Sequence, residues 1–378
     1  MRIAVNTRLL LPGKLEGIGW FAHETLSRIV VAHPEHKFIF LFDRPYDRSF
    51  VYADNVEAVV VPPPTRHPLL YRLWFQFALP RALRRNKADV FLSPDGFLST
   101  RTAVPQLAVM HDLNFEHYPE DLPAAYSTYY RTWFPRFAKQ AARIVTVSEF
   151  SKSDIVSKYH IDPAGIDVVH NGVSGLFSPI SMAEALQARA RFTGGSPYLI
   201  CVGAMHRRKN LANTLAAFDR VAEDEAGLRL LIVGERMFRD ARLERAYAAM
   251  RHKDRVFFAG RLGQQDLRLA LGAALALVYA SWFEGFGIPV AEAMRSGVPV
   301  IAANASSLPE VAGDAAAYCD PFNVDDMARA IRLVVMDATL RTRLISAGLE
   351  RAQRYTWERT AQGLWASFER MCQHAGVR

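Results

Sequence analysis

The sequence predicts an α/β protein built from two successive parallel sheets, each covered by helices on both faces. Three observations carry this. Short β-rich runs alternate with amphipathic helical stretches from one end of the chain to the other. The runs are rich in Val, Ile and Phe and continuous rather than alternating, as strands buried on both faces are. The length of 378 residues exceeds one typical core, since single domains hold roughly 100–200 residues.

In the first half, strands are expected at 2–6, 37–42, 56–61, 89–93, 106–110, 143–147 and 167–170. A polar stretch follows Asn171-Gly172-Val173, and a second strand-turn-helix series begins at Tyr198, with strands expected at 198–202, 229–233, 256–259, 276–279, 298–302 and 316–319. Ser178-Pro179 and Gly194-Gly195-Ser196-Pro197 supply linker chemistry within 174–196. The expected division is therefore 1–178, 179–355, and a C-terminal helical segment, 356–378, that packs back toward the first domain.

Composition narrows the function classes. With 50% hydrophobic and 22% charged residues the chain is globular rather than disordered. The charge-free apolar run 269–283 is too short to cross a bilayer, which takes about 20 residues. Met1-Arg2-Ile3-Ala4-Val5 enters a strand at once, without the basic and apolar leader of a secreted chain, so a cytoplasmic protein is expected. Cys201, Cys319 and Cys372 are scattered and form no CxxC pair, which points to neither a disulfide framework nor a zinc site. A net charge of +8 leaves nucleic acid, an anionic membrane surface or an anionic small molecule as partners.

In open α/β sheets ligands bind beyond the carboxyl ends of the strands, where helix N-termini direct partial positive charge outward. The strongest motif occupies such a loop: Glu284-Gly285-Phe286-Gly287-Ile288-Pro289, followed by Glu292 inside the helix it opens. Pro289 suits a first helical turn, Gly297 ends the helix, and Gly285 and Gly287 let backbone N–H groups approach a diphosphate or sugar. Two carboxylates flanking the loop suit vicinal diols; alternatively Glu284 caps the helix and Glu292 lies on a solvated face. After the first strand of the second half comes Gly203-Ala204-Met205-His206-Arg207-Arg208-Lys209-Asn210. Arg208 is suited to clamp a leaving diphosphate with its fork and Lys209 to act as a point charge, ordinary surface basicity being the alternative. Gly17-Ile18-Gly19 after the first strand admits a phosphate or simply makes a turn, and His111-Asp112 ends the strand at 106–110, where the imidazole is either catalytic or a structural hydrogen-bonder.

Taken in order, these stretches resemble the family 4 retaining glycosyltransferases across nearly the whole chain. The matching segments are Gly17-Ile18-Gly19, Val109-Met110-His111-Asp112, Val145 to Ser151, His170 to Val173, Arg208-Lys209-Asn210, Glu284 to Glu292 and Ser306-Ser307-Leu308-Pro309-Glu310-Val311. The resemblance implies the GT-B architecture, two Rossmann-like domains facing across a cleft, with a nucleotide-sugar donor in the C-terminal half. It implies that Glu284 holds donor-sugar hydroxyls, that Glu292 binds the ribose, and that backbone N–H groups from Phe286 to Ile288 meet sugar and diphosphate. Arg208 and Lys209 then grip the diphosphate, His111 contacts the donor sugar, and Gly234-Glu235 with Arg261-Leu262 enclose the base. Retention is implied to follow a front-face path in which the leaving phosphate helps deprotonate the acceptor. No Asp-x-Asp triplet occurs, which fits a site expected to bind no metal and need no other cofactor. Two departures stand out: Glu16-Gly17 where many relatives have Gly-Gly, and Ala204 where many have Arg.

The acceptor is expected to be a glycan or lipid-linked saccharide. Stretches 66–87 and 124–143 combine aromatics with bases, a pattern either for peripheral contact with an anionic inner-membrane surface or for a packed core. The sequence is nearest to the GDP-mannose-using mannosyltransferases of O-antigen and lipopolysaccharide synthesis, with UDP-sugar users sharing the motifs. A UDP-sugar 2-epimerase of the same fold and a noncatalytic nucleic-acid binder are rivals from other classes; the latter lacks a recognised module, and no specific nucleic acid is expected.

Overall fold

A computed structural model describes residues 1–235 and 240–377. The chain divides into two compact units, Met1–Gly172 with Trp357–Arg378, and Val173–Thr356. In the first, seven strands, β1 (Arg2–Asn6), β2 (Lys37–Phe42), β3 (Val56–Val60), β4 (Val90–Ser93), β5 (Gln106–Val109), β6 (Arg143–Thr146) and β7 (Ile166–Val168), form one sheet in the order β3-β2-β1-β4-β5-β6-β7. All neighbours are parallel, with Ile3 opposite Phe38 on one side and Val90 on the other. Parallel pairing forces each connection to cross a face of the sheet, so both faces are covered and the strands are apolar throughout.

The second unit repeats the plan with β8 (Tyr198–Val202), β9 (Arg229–Val233), β10 (Val256–Gly260), β11 (Ala276–Tyr279), β12 (Val300–Ala303) and β13 (Ala316–Cys319). Their order is β10-β9-β8-β11-β12-β13, again all parallel. In both sheets the winding direction reverses once, between β1 and β4 and between β8 and β11. Loops leaving the two strands at such a reversal diverge to opposite faces and open a crevice at the carboxyl edge.

The division falls at 172/173 and 356/357, earlier than the expected 178/179 and one residue beyond 355/356. The reason is local: the Val173 N–H donates to Tyr355 O at 3.1 Å and Val173 bridges Thr356, which ties 173–178 to the second unit. The helix Trp357–Ala375 is part of the first unit. It buries Leu364, Phe368 and Met371, donates from Thr360 Oγ1 to His170 O (2.8 Å) and from Ser367 Oγ to Asp167 (2.7 Å), and stacks Trp365 on His33 at 3.7 Å.

The aromatics of 66–87 and 124–143 pack inward. Tyr71, Trp74, Phe75, Tyr129, Phe134 and Phe137 join Phe91, Phe97 and Phe115 in the core. The helix Ala124–Gln140 exposes Thr128, Arg131, Thr132, Arg136 and Lys139, a face of charge and hydroxyls without an aromatic. Aromatic insertion into a bilayer is thereby unsupported on that helix, because an inward periodicity of rings leaves no aromatic among its exposed residues. No described helix is long and apolar enough to cross a membrane.

Candidate active site

The reversal between β8 and β11 is where the two main motifs meet. Gly203 leaves β8 at φ +135°, and its N–H donates to Val233 O (2.9 Å). Beside it Gly234 leaves β9 at φ +148°, so close that a Cβ there would stand 1.9 Å from Gly203 O. Only glycine allows both this backbone angle and this approach.

The loop then makes a short turn, Arg207–Lys209, and Asn210 enters the next helix in a left-handed conformation at φ 58°. The buried Asn210 side chain donates to Ala280 O (3.1 Å) and Pro321 O (2.6 Å), which fixes the loop to the ends of two other strands. Arg208 O in turn accepts from Trp282 N (3.1 Å) and Ser281 Oγ (2.9 Å). Backbone bonds thus hold the basic loop against the loop after β11.

Their side chains converge on one oxygen. Glu284 Oε1 lies 2.5 Å from Lys209 Nζ and 2.6 Å from Arg208 Nη1, and it accepts from Tyr279 OH at 3.1 Å. Lys209 also donates to Tyr279 OH and stands 4.7 Å from that ring's centroid. Burial alone would raise the Glu284 pKa, but the charges and hydrogen bonds of Arg208 and Lys209 outweigh it and hold the carboxyl far below the usual range. Tyr279 moves the other way, its phenol kept protonated by burial and by the Glu284 charge. The backbone of Glu284 is held as well: its N–H donates to Ser306 Oγ (3.0 Å) and its carbonyl accepts from Ser307 Oγ (2.9 Å). Ser306 adopts φ 52°, a left-handed conformation that costs a non-glycine residue about 1 kcal/mol.

The rest of the motif opens the helix Ile288–Arg295, with Gly287 as its N-cap at φ 96°. A Cβ at Gly287 would meet Leu308 Cδ2 at 2.7 Å. Gly285 is buried, Phe286 packs edge-on against Tyr355 at 5.2 Å, and Ile288 begins the helix. One turn in, Glu292 is half-buried and burial pushes its carboxyl up to about 7. The two carboxylates are therefore driven in opposite directions, Glu284 held ionised and Glu292 poised near neutrality.

A cavity of about 570 Å³ opens beside this site, lined by Met205, Gly234, Glu235, Phe258 and Gly260. Gly234 lines it; Leu262, two residues beyond Gly260, does not. Among the described residues no group of three or more His, Cys, Asp or Glu is placed to hold a metal ion.

The remaining expected residues lie in the first unit. His111 is half-buried at the end of β5, its ring edge-on to Phe21 at 4.9 Å and Nε2 2.8 Å from Pro94 O. A carbonyl only accepts, so Nε2 carries the proton and Nδ1 is the acceptor. Burial lowers the imidazole pKa, against the Pro94 bond and nearby Asp112 and Asp95, which favours the neutral ring. Gly17 begins the helix Gly17–Ala32 with nothing within 4 Å of a Cβ, whereas a Cβ at Gly19 would press Leu9 O at 3.0 Å and Leu15 Cδ2 at 3.2 Å. Gly19 is thus required for packing and Gly17 is not.

Sequence reasoning missed three groups. Tyr279 looked like a strand residue; its position at the carboxyl end of β11 is the available signal. Met205 and Phe258 carry no motif. At the β1/β4 reversal, Arg8 Nε pairs with Asp95 at 2.6 Å while Asn6 donates to the same carboxylate at 2.7 Å, and the guanidinium lies 4.4 Å from the Phe97 centroid. Nothing in the spacing of Arg8 and Asp95 announces that pair.

Comparison with known proteins places the chain in a family. Residues 18–174 match the family described as Glycosyltransferase Family 4, and residues 182–351 match Glycosyl transferases group 1. The O-antigen chain mannosyltransferase B of Escherichia coli is 29% identical over 357 residues, covering 91% of this chain and 93% of that protein. Among solved structures, sucrose-phosphate synthase from Thermosynechococcus elongatus superposes with a TM-score of 0.78 at 19% identity, covering 99% of each chain. Anabaena HepE, solved in complex with UDP and glucose, gives 0.76 at 16% identity, covering 97% of this chain and 99% of that one. The chain belongs to the glycosyltransferases, a Family 4 domain followed by a group 1 domain on the GT-B fold, and is a sugar-transferring enzyme.

Proposed function

We propose that the protein transfers mannose from GDP-mannose to a glycan or lipid-linked saccharide in bacterial surface-polysaccharide synthesis, with retention of configuration. The observation that carries the catalytic part is the meeting of Arg208, Lys209 and Glu284 at the β8/β11 reversal. As the bond from C1 to the diphosphate oxygen breaks, negative charge grows on the phosphate. Two fixed cations and the N-terminus of the helix Ile288–Arg295 stabilise it without solvent having to reorganise. This is the charge that a divalent ion would otherwise balance, and the proposed reaction uses none.

Glu284 Oε1 anchors the cations, and Oε2 is the oxygen that remains for a sugar hydroxyl. Glu292, one turn into the helix, takes the ribose diol. His111 is a neutral acceptor through Nδ1, suited to a hydroxyl rather than to the diphosphate. The mannose assignment is supported by the Escherichia coli relative, whose name states O-antigen chain mannosylation. Glu235 at the cavity supports guanine, because a carboxylate accepts two parallel bonds from guanine N1–H and N2–H, where uracil offers a single N–H. Contact with an anionic inner-membrane surface belongs to the same reading, through bases alone: Arg72, Arg81, Arg84, Arg85 and Lys87 are exposed, with Leu69 and Leu73 beside them.

Thermal stabilisation by GDP-mannose, UDP-glucose, UDP-galactose and dTDP-glucose tests the donor. GDP-mannose is expected to raise Tm most. Preferential stabilisation by a UDP sugar overturns the mannose assignment and favours the donor class seen with HepE.

A further inference from the structure

Among the described residues two phenylalanines are exposed, Phe258 at 38% and Phe322 at 67%, and they flank the clamp. Phe258 lines the cavity at the β10 edge of the second sheet. Phe322 follows β13, the opposite edge strand. Exposing a phenyl ring is unfavourable in water, and a single one needs no explanation on a plain surface. This one is rigidly presented.

Phe322 stacks on Trp282, with ring centroids 6.0 Å apart and planes 22° from parallel. Trp282 is buried beneath it, two residues before Glu284. The loop that carries Phe322 is fixed at every step. Pro321 O accepts from Asn210 (2.6 Å) and Asn213 (3.0 Å), the Phe322 N–H donates to Asp320 Oδ1 (2.9 Å), and Asn323 caps the helix Val324–Met336. The same Asn210 ends the clamp loop, so one side chain ties the loop that carries Phe322 to the loop that carries the two cations. Beside Phe322 in the chain lie the exposed polar residues Asp320 and Asn323. An apolar plate rimmed by hydrogen-bonding groups fits a pyranose, whose C–H face packs on an aromatic ring while its hydroxyls reach outward.

We propose that Phe322, seated on Trp282, is the stacking platform for a hexose ring of the acceptor glycan. The inference rests on the proposed function, which puts the nucleotide in the cavity at Gly234 and Phe258. The strand order then decides which ring reaches Phe322. With the base beside β9 and β10 and the diphosphate at the β8/β11 reversal, a ring over the β13 side lies past the transferred sugar, on the acceptor's side of the bond being made.

The test is titration of the full chain with α-linked mannotriose, followed by saturation-transfer NMR, for the wild type, Phe322→Ala and Phe322→Trp, with GDP-mannose affinity measured in parallel. Wild type and Phe322→Trp are expected to bind mannotriose alike, Phe322→Ala about tenfold more weakly, and all three to bind GDP-mannose equally. Undiminished mannotriose binding in Phe322→Ala, no mannotriose binding by the wild type, or an equal loss of GDP-mannose affinity in Phe322→Ala overturns the proposal. Failure of the wild type to bind either GDP-mannose or UDP-glucose instead defeats the proposed function, and the two failures are distinguished by the donor measurement.

Discussion

Lowering the pH from 8 to 6 should weaken GDP-mannose binding about tenfold through Glu292 alone. Burial holds this carboxyl near 7, and among the described residues Glu292 forms no ion pair that would bring it down. A ribose diol donates two hydrogen bonds to an ionised carboxylate, and protonation removes one acceptor site and the charge. At pH 6 roughly a tenth of the protein has Glu292 ionised, against about nine-tenths at pH 8. GDP-mannose is the right probe because its diphosphate is a diester, whereas the terminal phosphate of GDP itself titrates near 6. The sign for stability is opposite. A carboxyl raised from 4.5 to about 7 on folding favours the folded state below 4.5, and that contribution is lost as pH rises through 7. The loss is about 3 kcal/mol when complete. Glu292→Gln should therefore bind GDP-mannose weakly at every pH and yet unfold at higher denaturant than the wild type at pH 8. Calorimetric titrations at pH 6, 7 and 8, paired with urea unfolding, measure both. Equal wild-type affinity at pH 6 and pH 8 refutes the reasoning, as does a Glu292→Gln variant less stable than the wild type at pH 8.

Removing either clamp cation, as Arg208→Ala or Lys209→Ala, should lower kcat by about 10²–10³-fold with a smaller effect on donor KM; single-turnover kinetics would expose an unchanged chemical step. Gly234→Ala drives a Cβ onto Gly203 O at 1.9 Å with φ at +148°, and should destabilise the second unit by about 3 kcal/mol or more, visible as an earlier urea midpoint. In the first unit Gly19→Ala should cost about 1–2 kcal/mol by displacing Leu15, while Gly17→Ala, with open space around it, should leave the midpoint where it is. Flotation with vesicles containing anionic lipid should show binding at low salt that disappears at about 0.5 M, since exposed bases with few aromatics act through screened charge; protein that stays behind at low salt removes the membrane from the reading.

Much of the fold is legible because it depends on repeated, local signals. The strand at 198–202 and the strand at 276–279 coincide with β8 and β11 to the residue, since a continuous apolar run bounded by glycine and polar loop residues leaves little freedom in a parallel sheet. Glu284, Arg208 and Lys209 stand out in the sequence for the same reason: charged residues beside glycine at a strand's carboxyl end have few structural uses. Their mutual contact was not. It depends on strand order, and β8 lies beside β11 only because the chain winds outward through β9 and β10 and then returns, which no residue spacing records. The aromatics of 124–143 were ambiguous in sequence because a helix face packed on a core and one laid on a membrane share one periodicity; Phe134 and Phe137 resolve it by lying against Phe97 at 5.2 and 6.0 Å.

The pairing of Glu284 with both cations bears on how such a site can wait for its ligand. Two cations held side by side repel, and in a half-buried crevice each would otherwise turn toward water or, for Lys209, lose its proton. One carboxylate between them leaves a net charge of +1 and keeps both in place. On the proposed function, a diphosphate arriving at this trio meets a modest field, so ground-state binding gains little, but the charge that develops on bond cleavage falls beside two cations already held in place. Selective stabilisation of the later state raises turnover, where equal stabilisation of both would only tighten binding. On this view Glu284 serves twice, once through Oε1 as the brace for the clamp and once through Oε2 as a sugar contact, and the two roles separate experimentally. Glu284→Gln keeps a hydrogen-bond acceptor for Lys209 but removes the charge, so its loss in kcat should exceed its loss in donor affinity; a variant that loses affinity alone would assign Glu284 to sugar recognition and leave the clamp to hold itself.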